Sequence, residues 1–383
     1  MSVGSPRRVE GEAAAPTIVR PVKAPRRARP IGLHTAYDQG MRLFPETGAR
    51  VALAVLAVVA IGAPFVLTDF WIAVINFASI AAIGAIGLNL LTGYTGQVSL
   101  GHAFFIGLGA YTAGYIGGDL GLPFVVWLPA AAALGALVGL IIGPFALRLR
   151  GLYLAIVTLG LVFLGEHLFN NVRGITGGPQ GRTIPSPEVG GLSFGSLGDL
   201  SRDQSFYFLA IPLLALLALL AKNIVRTRVG RAFQAIRDRE IAAAIIGVDL
   251  FRYKVAAFIV SSAFAAIAGA LLGSYIRFVA PGQFNLFLSI EFVAMIIVGG
   301  IGTIFGAILG AFFITAVPRL VEEFSGSIPF VASSSTSGGI TVFELNQVIF
   351  GALIVAFLIF EPYGIAGLWR RAKIYFKTWP FSY

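Results

Sequence analysis

The chain is 383 residues long, 57% hydrophobic and only 12% charged, with a mean hydropathy of +0.86. Soluble domains carry about twice that share of charge, so water is excluded as the main solvent; the absence of Cys and the presence of only three His exclude disulfides, thiolate metal sites and Cys nucleophiles, and no metal or cofactor is expected. The net charge of +10 sits in clusters between apolar runs, a distribution that orients membrane spans rather than one that grips nucleic acid.

Residues 1–50 hold nine Lys or Arg interrupted by Pro and Gly, with no early apolar segment of the secretory type. They are expected to form a disordered, basic cytoplasmic tail whose charges solvate freely or touch anionic headgroups. From residue 51 to 365, apolar runs of the length needed to cross hydrocarbon as helix recur. They are Val51–Leu67, Trp71–Leu91, Val98–Ile116, Pro123–Leu147, Leu152–Asn170, Phe206–Ala221, Val255–Ile276, Phe287–Val298, Thr303–Leu320 and Val342–Phe360. The expected fold is therefore an all-α integral membrane protein, a polytopic helical bundle of about ten transmembrane helices.

If the ten spans alternate, the Lys and Arg of the N-terminal tail, Arg148 and Arg150, the eight between Lys222 and Lys254, and the basic C-terminal segment 366–383 all fall on one side. That side is expected to be cytoplasmic, with both termini there. The arrangement allows two five-span halves of inverted topology, a common plan among transporters.

Two glycine-dense interruptions fall within the apolar runs. The first runs from Leu91 through Gly93, Tyr94, Gly96, Gln97, Ser99 and Gly101 to His102, with Asn89 just before it; the second runs from Val298 to Gly306. Gly with polar residues at membrane depth marks a helix that breaks and frees backbone to line a path. For the first segment a solute path is favoured over an ordinary loop. For the second, close packing is an equally good reading, because Gly302, Gly306 and Gly310 are spaced four apart, as are Gly135, Gly139 and Gly143.

Asn89, Tyr94, Gln97, Ser99 and His102 could hydrogen-bond a solute. A hydrolase built on Ser99 and His102 lacks a third member and an oxyanion motif. Glu166, Arg277, Glu291 and Arg319 stand toward the ends of their runs, where interfacial solvation accounts for them, and this placement argues against an ion relay. No phosphate-binding loop of the Gly-x-x-x-x-Gly-Lys-[Ser/Thr] type is present. The polar connection 222–254 places Phe233, Ile236, Ile241 and Ile245 among charges, as in one or two amphipathic helices joined near Gly247. It serves equally as a handle for a partner or as a helix resting on headgroups.

The segments LNLLTGYTGQVSLGHAFFIGLGAYTAGY, GITGGPQGRTIP, GRAFQAIRDREIAAAIIGVDLFRYKVAAFIVSSAFAAIAGAL and VGGIGTIFGAILGA, in this order over roughly residues 70–365, resemble the LivM-type permease subunit of branched-chain amino acid ABC importers. The resemblance implies a multi-pass protein of the prokaryotic inner membrane that pairs with a LivH-type permease, rests on two cytoplasmic ATPase subunits and receives an amino acid from an extracytoplasmic binding protein. It implies that Arg231, Ala232, Ala235, Arg237, Glu240 and Gly247 form the ATPase-coupling region, which favours the partner-handle reading of 222–254. It implies equally that Gly93 to His102 line the translocation pathway, with Gly93, Gly96 and Gly101 permitting the break and Asn89, Gln97 and Ser99 facing solute. A related permease for urea or short amides, an ion-coupled secondary transporter and a membrane scaffold are the competing readings.

Overall fold

The computed structural model describes residues 47–146, 151–195, 197–324, 331–332, 340–361 and 363–378. The basic tail before residue 47, Arg148 and Arg150, and most of the connection expected between 321 and 341 lie outside them. The chain divides into two units, residues 1–54 and 55–383; of the first, residues 47–54 are described and are helical.

The second unit is built almost wholly of helices. In chain order the helices are α1 (Thr47–Val66), α2 (Asp69–Leu88), α3 (His102–Ala113), α4 (Phe124–Ala146), α5 (Leu152–Asn171), α6 (Arg173–Thr176), α7 (Arg202–Arg226), α8 (Arg228–Asp238), α9 (Glu240–Ile245), α10 (Leu250–Ile276), α11 (Leu286–Gly299), α12 (Ile304–Phe324), α13 (Val342–Phe360) and α14 (Gly364–Thr378). One π-helical turn, Asn89–Gly93, continues α2, and another, Gly114–Asp119, continues α3. Among the described residues, six helical segments are long and apolar enough to cross a membrane: Asp69–Gly93, Phe124–Pro144, Tyr153–Asn171, Arg202–Arg226, Leu250–Ile276 and Pro281–Gly299. Shorter apolar helices cover Ala54–Val66, Ile304–Leu320 and Gln347–Phe357. The expected span Val98–Ile116 begins later, at His102, because residues 96–101 are not helical.

Local chemistry sets the helix starts. Ser201 accepts from Gln204 N while its own N–H donates to the Gln204 side chain, a reciprocal box that opens α7. Asp249 caps α10 by accepting from Arg252 N at 3.1 Å, and Asn285 caps α11 by accepting from Leu288 N at 3.3 Å. At the start of α7, Tyr275 Oη donates to Asp203 at 2.7 Å, Asn76 donates to the Asp203 carbonyl at 2.9 Å and Arg202 donates to the Tyr275 carbonyl.

Burial separates inner helices from outer ones that are equally apolar. The most apolar stretch of Asp69–Gly93 is 72% buried and that of Leu250–Ile276 67%, against 22% for Arg202–Arg226. Helix α10 therefore forms the axis, packed on α2, α3 and α4. Where α3 crosses α10, a Cβ at Gly109 would strike the Ala266 carbonyl and one at Gly269 the Ile106 carbonyl, so the two backbones touch as only small residues allow. Of the stripe Gly135, Gly139 and Gly143, only the first two approach α10 closely, at Ser262 and Ala266; at Gly143 there is ordinary room.

Candidate translocation and coupling site

Both glycine interruptions are real breaks, and they meet. The first lies between the π-turn and α3, the second between α11 and α12, and Asn89 bridges them. Its Nδ2 donates to the Thr303 carbonyl at 2.8 Å and its Oδ1 accepts from Gly302 N at 2.9 Å. The buried amide thus answers two backbone groups that the second break leaves unpaired. Gly93 stands directly against this clamp, with Asn89 Oδ1 and, at 2.6 Å, Gly302 N where its Cβ would be. Gly302 does not belong to a helix-packing face with Gly306 and Gly310, as its spacing allowed. It occupies the break at φ 79°, a left-handed conformation that favours glycine, whereas Gly306 and Gly310 pack against Gly299 and the Met295 carbonyl.

The other predicted pathway residues line the start of α3. Helix α3 begins inside the protein, where its unpaired N–H groups have no water. Three hydroxyls serve N–H groups at and just before its start: Leu100 N donates to Thr158 Oγ1 at 2.9 Å, Gly101 N to Ser99 Oγ at 3.3 Å and Ala103 N to Ser289 Oγ at 3.0 Å. Gln97 is buried and donates to Thr95 Oγ1 at 2.9 Å. His102, also buried, sits 4.9 Å from the Phe292 ring, centroid to centroid. Tyr94 is buried beside them. Gly96 turns the chain at φ 72° and faces the Arg237 stem. Gly101 approaches the Thr158 carbonyl, 2.8 Å from where a Cβ would lie.

Beneath the breaks lies the polar connection. It forms two helices, α8 and α9, that meet at Arg239 (φ −154°, ψ 96°) rather than near Gly247, which instead closes the turn after α9 with φ 88°. Ala232, Phe233 and Ile236 are the buried face of α8, and Arg231 is exposed. Ala235 is half-buried. Ile241, Ile245 and Ile246 do not pack inward but stand 72%, 80% and 75% exposed. Arg237 reaches up from α8: its Nη1 donates to the Gly93 carbonyl at 2.7 Å and also lies against Gly302. Glu240 accepts from Lys254 Nζ at 2.6 Å. Of the six predicted coupling residues, Arg237 and Glu240 are joined to the bundle by polar bonds, and Arg231 donates to the Arg226 carbonyl at the end of α7 at 3.3 Å.

Set beside known proteins, residues 70–358 match the family model described as branched-chain amino acid transport system, permease component. The chain belongs to the branched-chain amino acid permease family. It is 32% identical over 339 residues to the high-affinity branched-chain amino acid transport system permease protein LivM of Escherichia coli, covering 84% of this chain and 76% of that protein. The LivM of Salmonella typhimurium is similar to the same extent. The LivH permease of Salmonella typhimurium is 27% identical over 304 residues, 76% of this chain and 93% of LivH. No solved structure matches it.

In this permease, sequence reasoning missed Thr158, Ser289, Thr303 and Lys254 as members of the site. Isolated hydroxyls in apolar helices give no pattern, but Lys254, a charge just inside a membrane run and only 8% exposed, calls for a partner on burial grounds alone. The Glu240–Lys254 pair gives a test: Glu240→Ala leaves that ammonium buried without its carboxylate. The expected result is an uptake loss of about tenfold and a lower melting temperature of the purified permease, since leaving a buried polar group without its partner costs about 1–3 kcal/mol; Glu240→Asp should fall between. Uptake assays and thermal-shift measurements on the three proteins decide it.

Proposed function

We propose that this chain is the LivM-type permease subunit of an ATP-driven importer of branched-chain amino acids. It works with a LivH-type permease, two cytoplasmic ATPase subunits and an extracytoplasmic binding protein. The observation that carries this reading is the family match over residues 70–358, together with relatives named as LivM and LivH. The clustering of Lys and Arg supports an inner-membrane orientation with α8, α9 and both termini cytoplasmic. Ten crossings in two inverted halves are favoured by the breaks themselves. Each is a helix, a glycine turn and a second helix, and Asn89 joins the two turns.

Coupling is assigned to Arg231, Ala232, Ala235, Arg237, Glu240 and Gly247, and the pathway to Asn89, Gly93, Tyr94, Gly96, Gln97, Ser99, Gly101 and His102. The bare isoleucines of α9 are the contact for the ATPase groove, and Arg237 passes its motion to the break above. The chain contributes no nucleotide site in this scheme; ATP binding and hydrolysis belong to the partners. Substituting Ile245 with Asp should weaken ATPase co-purification about tenfold, because one desolvated aliphatic contact is replaced by a charge. Pull-down from detergent with both ATPases measures this.

The direct test is reconstitution of the five subunits in vesicles. ATP-dependent uptake of leucine, isoleucine or valine supports the proposal. Uptake of urea or a short amide instead would reassign the solute, and gradient-driven uptake by the permease alone would refute the scheme.

A further inference from the structure

A cavity of about 160 Å³ opens between α2, α3, α10, α11 and α12. A cavity of about 150 Å³ walled by aliphatic and Phe side chains holds a hydrocarbon the size of benzene. The walls here are of that kind, with Phe77, Ile80, Ala81, Leu288 and Met295 among them. Two polar groups also face it. Glu291 lines the cavity near the middle of the apolar segment Pro281–Gly299, not near a span end as its position after Phe287 implied, because the 3₁₀ turn Pro281–Gln283 extends the apolar segment upstream. It has no ion-pair partner among the described residues. Thr315 lines the cavity with an Oγ1 that is buried and without a hydrogen bond among the described residues.

A cation stands against one wall of the cavity. Arg319, one helical turn beyond Thr315 on α12, lies over the Phe77 ring at 4.3 Å from its centroid, and Tyr275 closes the edge of that ring at 4.8 Å. A carboxylate or a guanidinium left uncompensated within an apolar bundle carries a desolvation cost that an opposite charge relieves. Here Glu291 lines the cavity while Arg319 lies over its Phe77 wall, and no ion pair joins the two among the described residues. The arrangement offers an acceptor for an ammonium, a cation and a hydroxyl for a carboxylate, and an apolar wall for a branched hydrocarbon.

We infer that this cavity is a solute subsite of the permease, taking a zwitterionic aliphatic amino acid with its ammonium at Glu291, its carboxylate toward Arg319 and Thr315, and its side chain against Phe77, Ile80 and Leu288. The inference rests on the proposed function and adds a solute site apart from the glycine breaks.

The test uses the complete reconstituted transporter and a diazirine analogue of leucine, photolysed during turnover, with labelled peptides mapped by mass spectrometry. Label on residues 288–295 and 315 that excess leucine removes, together with a loss of about tenfold in uptake kcat/KM for Glu291→Gln at unchanged ATPase stimulation by loaded binding protein, supports the subsite; tenfold is the order expected for one lost charge-assisted contact. Normal leucine uptake with label elsewhere, or a Glu291→Gln transporter indistinguishable from the parent, overturns the subsite and leaves the proposed function standing. A parent transporter that moves no aliphatic amino acid overturns both. Should Glu291→Gln fail to assemble, the label map of the parent protein and uptake by Thr315→Val decide the matter. Uptake lost in Glu291→Gln without any label in the cavity reads as a proton or packing role and also overturns it.

Discussion

Replacing Arg237 with Ala is expected to lower ATP-driven uptake about a hundredfold while the complex still assembles and still hydrolyses ATP. Among the described residues the guanidinium is the polar side-chain link from α8 to the glycine breaks, donating to the Gly93 carbonyl at 2.7 Å and resting against Gly302. Losing a hydrogen bond from a charged donor costs about 1.5–3 kcal/mol, and the upper figure corresponds to the stated factor. If α8 moves with the ATPases, this contact is where the motion enters the membrane part. Arg237→Lys keeps the charge but not the planar fork, so it should recover uptake only in part. Uptake and hydrolysis measured on the same vesicles separate the cases: hydrolysis persisting without uptake is uncoupling, whereas full uptake by the Ala variant would remove Arg237 from the coupling path.

Gly93→Ala should be at least as damaging. The added methyl falls on Asn89 Oδ1 and lies 2.6 Å from Gly302 N, so one carbon forces apart the clamp that holds the two breaks. Overpacking of this sort costs about 1–3 kcal/mol, and the two Asn89 hydrogen bonds, each worth about 1 kcal/mol, are lost with it. Loss of uptake by a hundredfold or more is expected. The combination Gly93→Ala with Asn89→Ala provides the internal control: removing the struck oxygen should recover part of the lost activity, as residues in direct contact couple non-additively. A double variant no better than Gly93→Ala alone would mean that the methyl acts somewhere other than on the clamp.

Much of the fold was legible because hydrocarbon imposes so few solutions. An apolar run of sufficient length must be a helix, and the runs at Trp71–Leu91, Val255–Ile276 and Phe287–Val298 found helices within a few residues of their expected ends. The start of α3 was misjudged because Val98 and Leu100 look like span residues one at a time, although the surrounding Gln97, Ser99 and Gly101 hold the backbone open. The breaks themselves were readable from Gly and polar residues at membrane depth. Their union was not, since Asn89 finds partners 213 and 214 residues away and no local spacing encodes that distance. Ile241 and Ile245 were grouped with Phe233 and Ile236 by their helical phase. The kink at Arg239 restarts that phase and turns them outward. Glu291 shows the opposite error, a charge discounted by its place in a run when its surroundings in space decide its cost.

The π-turn at Asn89–Gly93 gives the bundle a stored register. Such a turn holds one residue more than an α-turn between the same neighbours. Tightening it would pass one residue down the helix, screwing the following chain about 100° round and advancing it about 1.5 Å. A push on the Gly93 carbonyl would then be answered by rotation of the segment that carries Gln97 and Ser99, much as a tap turns when its stem is pressed against a thread. Spin labels on either side of the turn, read with and without nucleotide, should report that twist as a change in orientation larger than the accompanying change in separation.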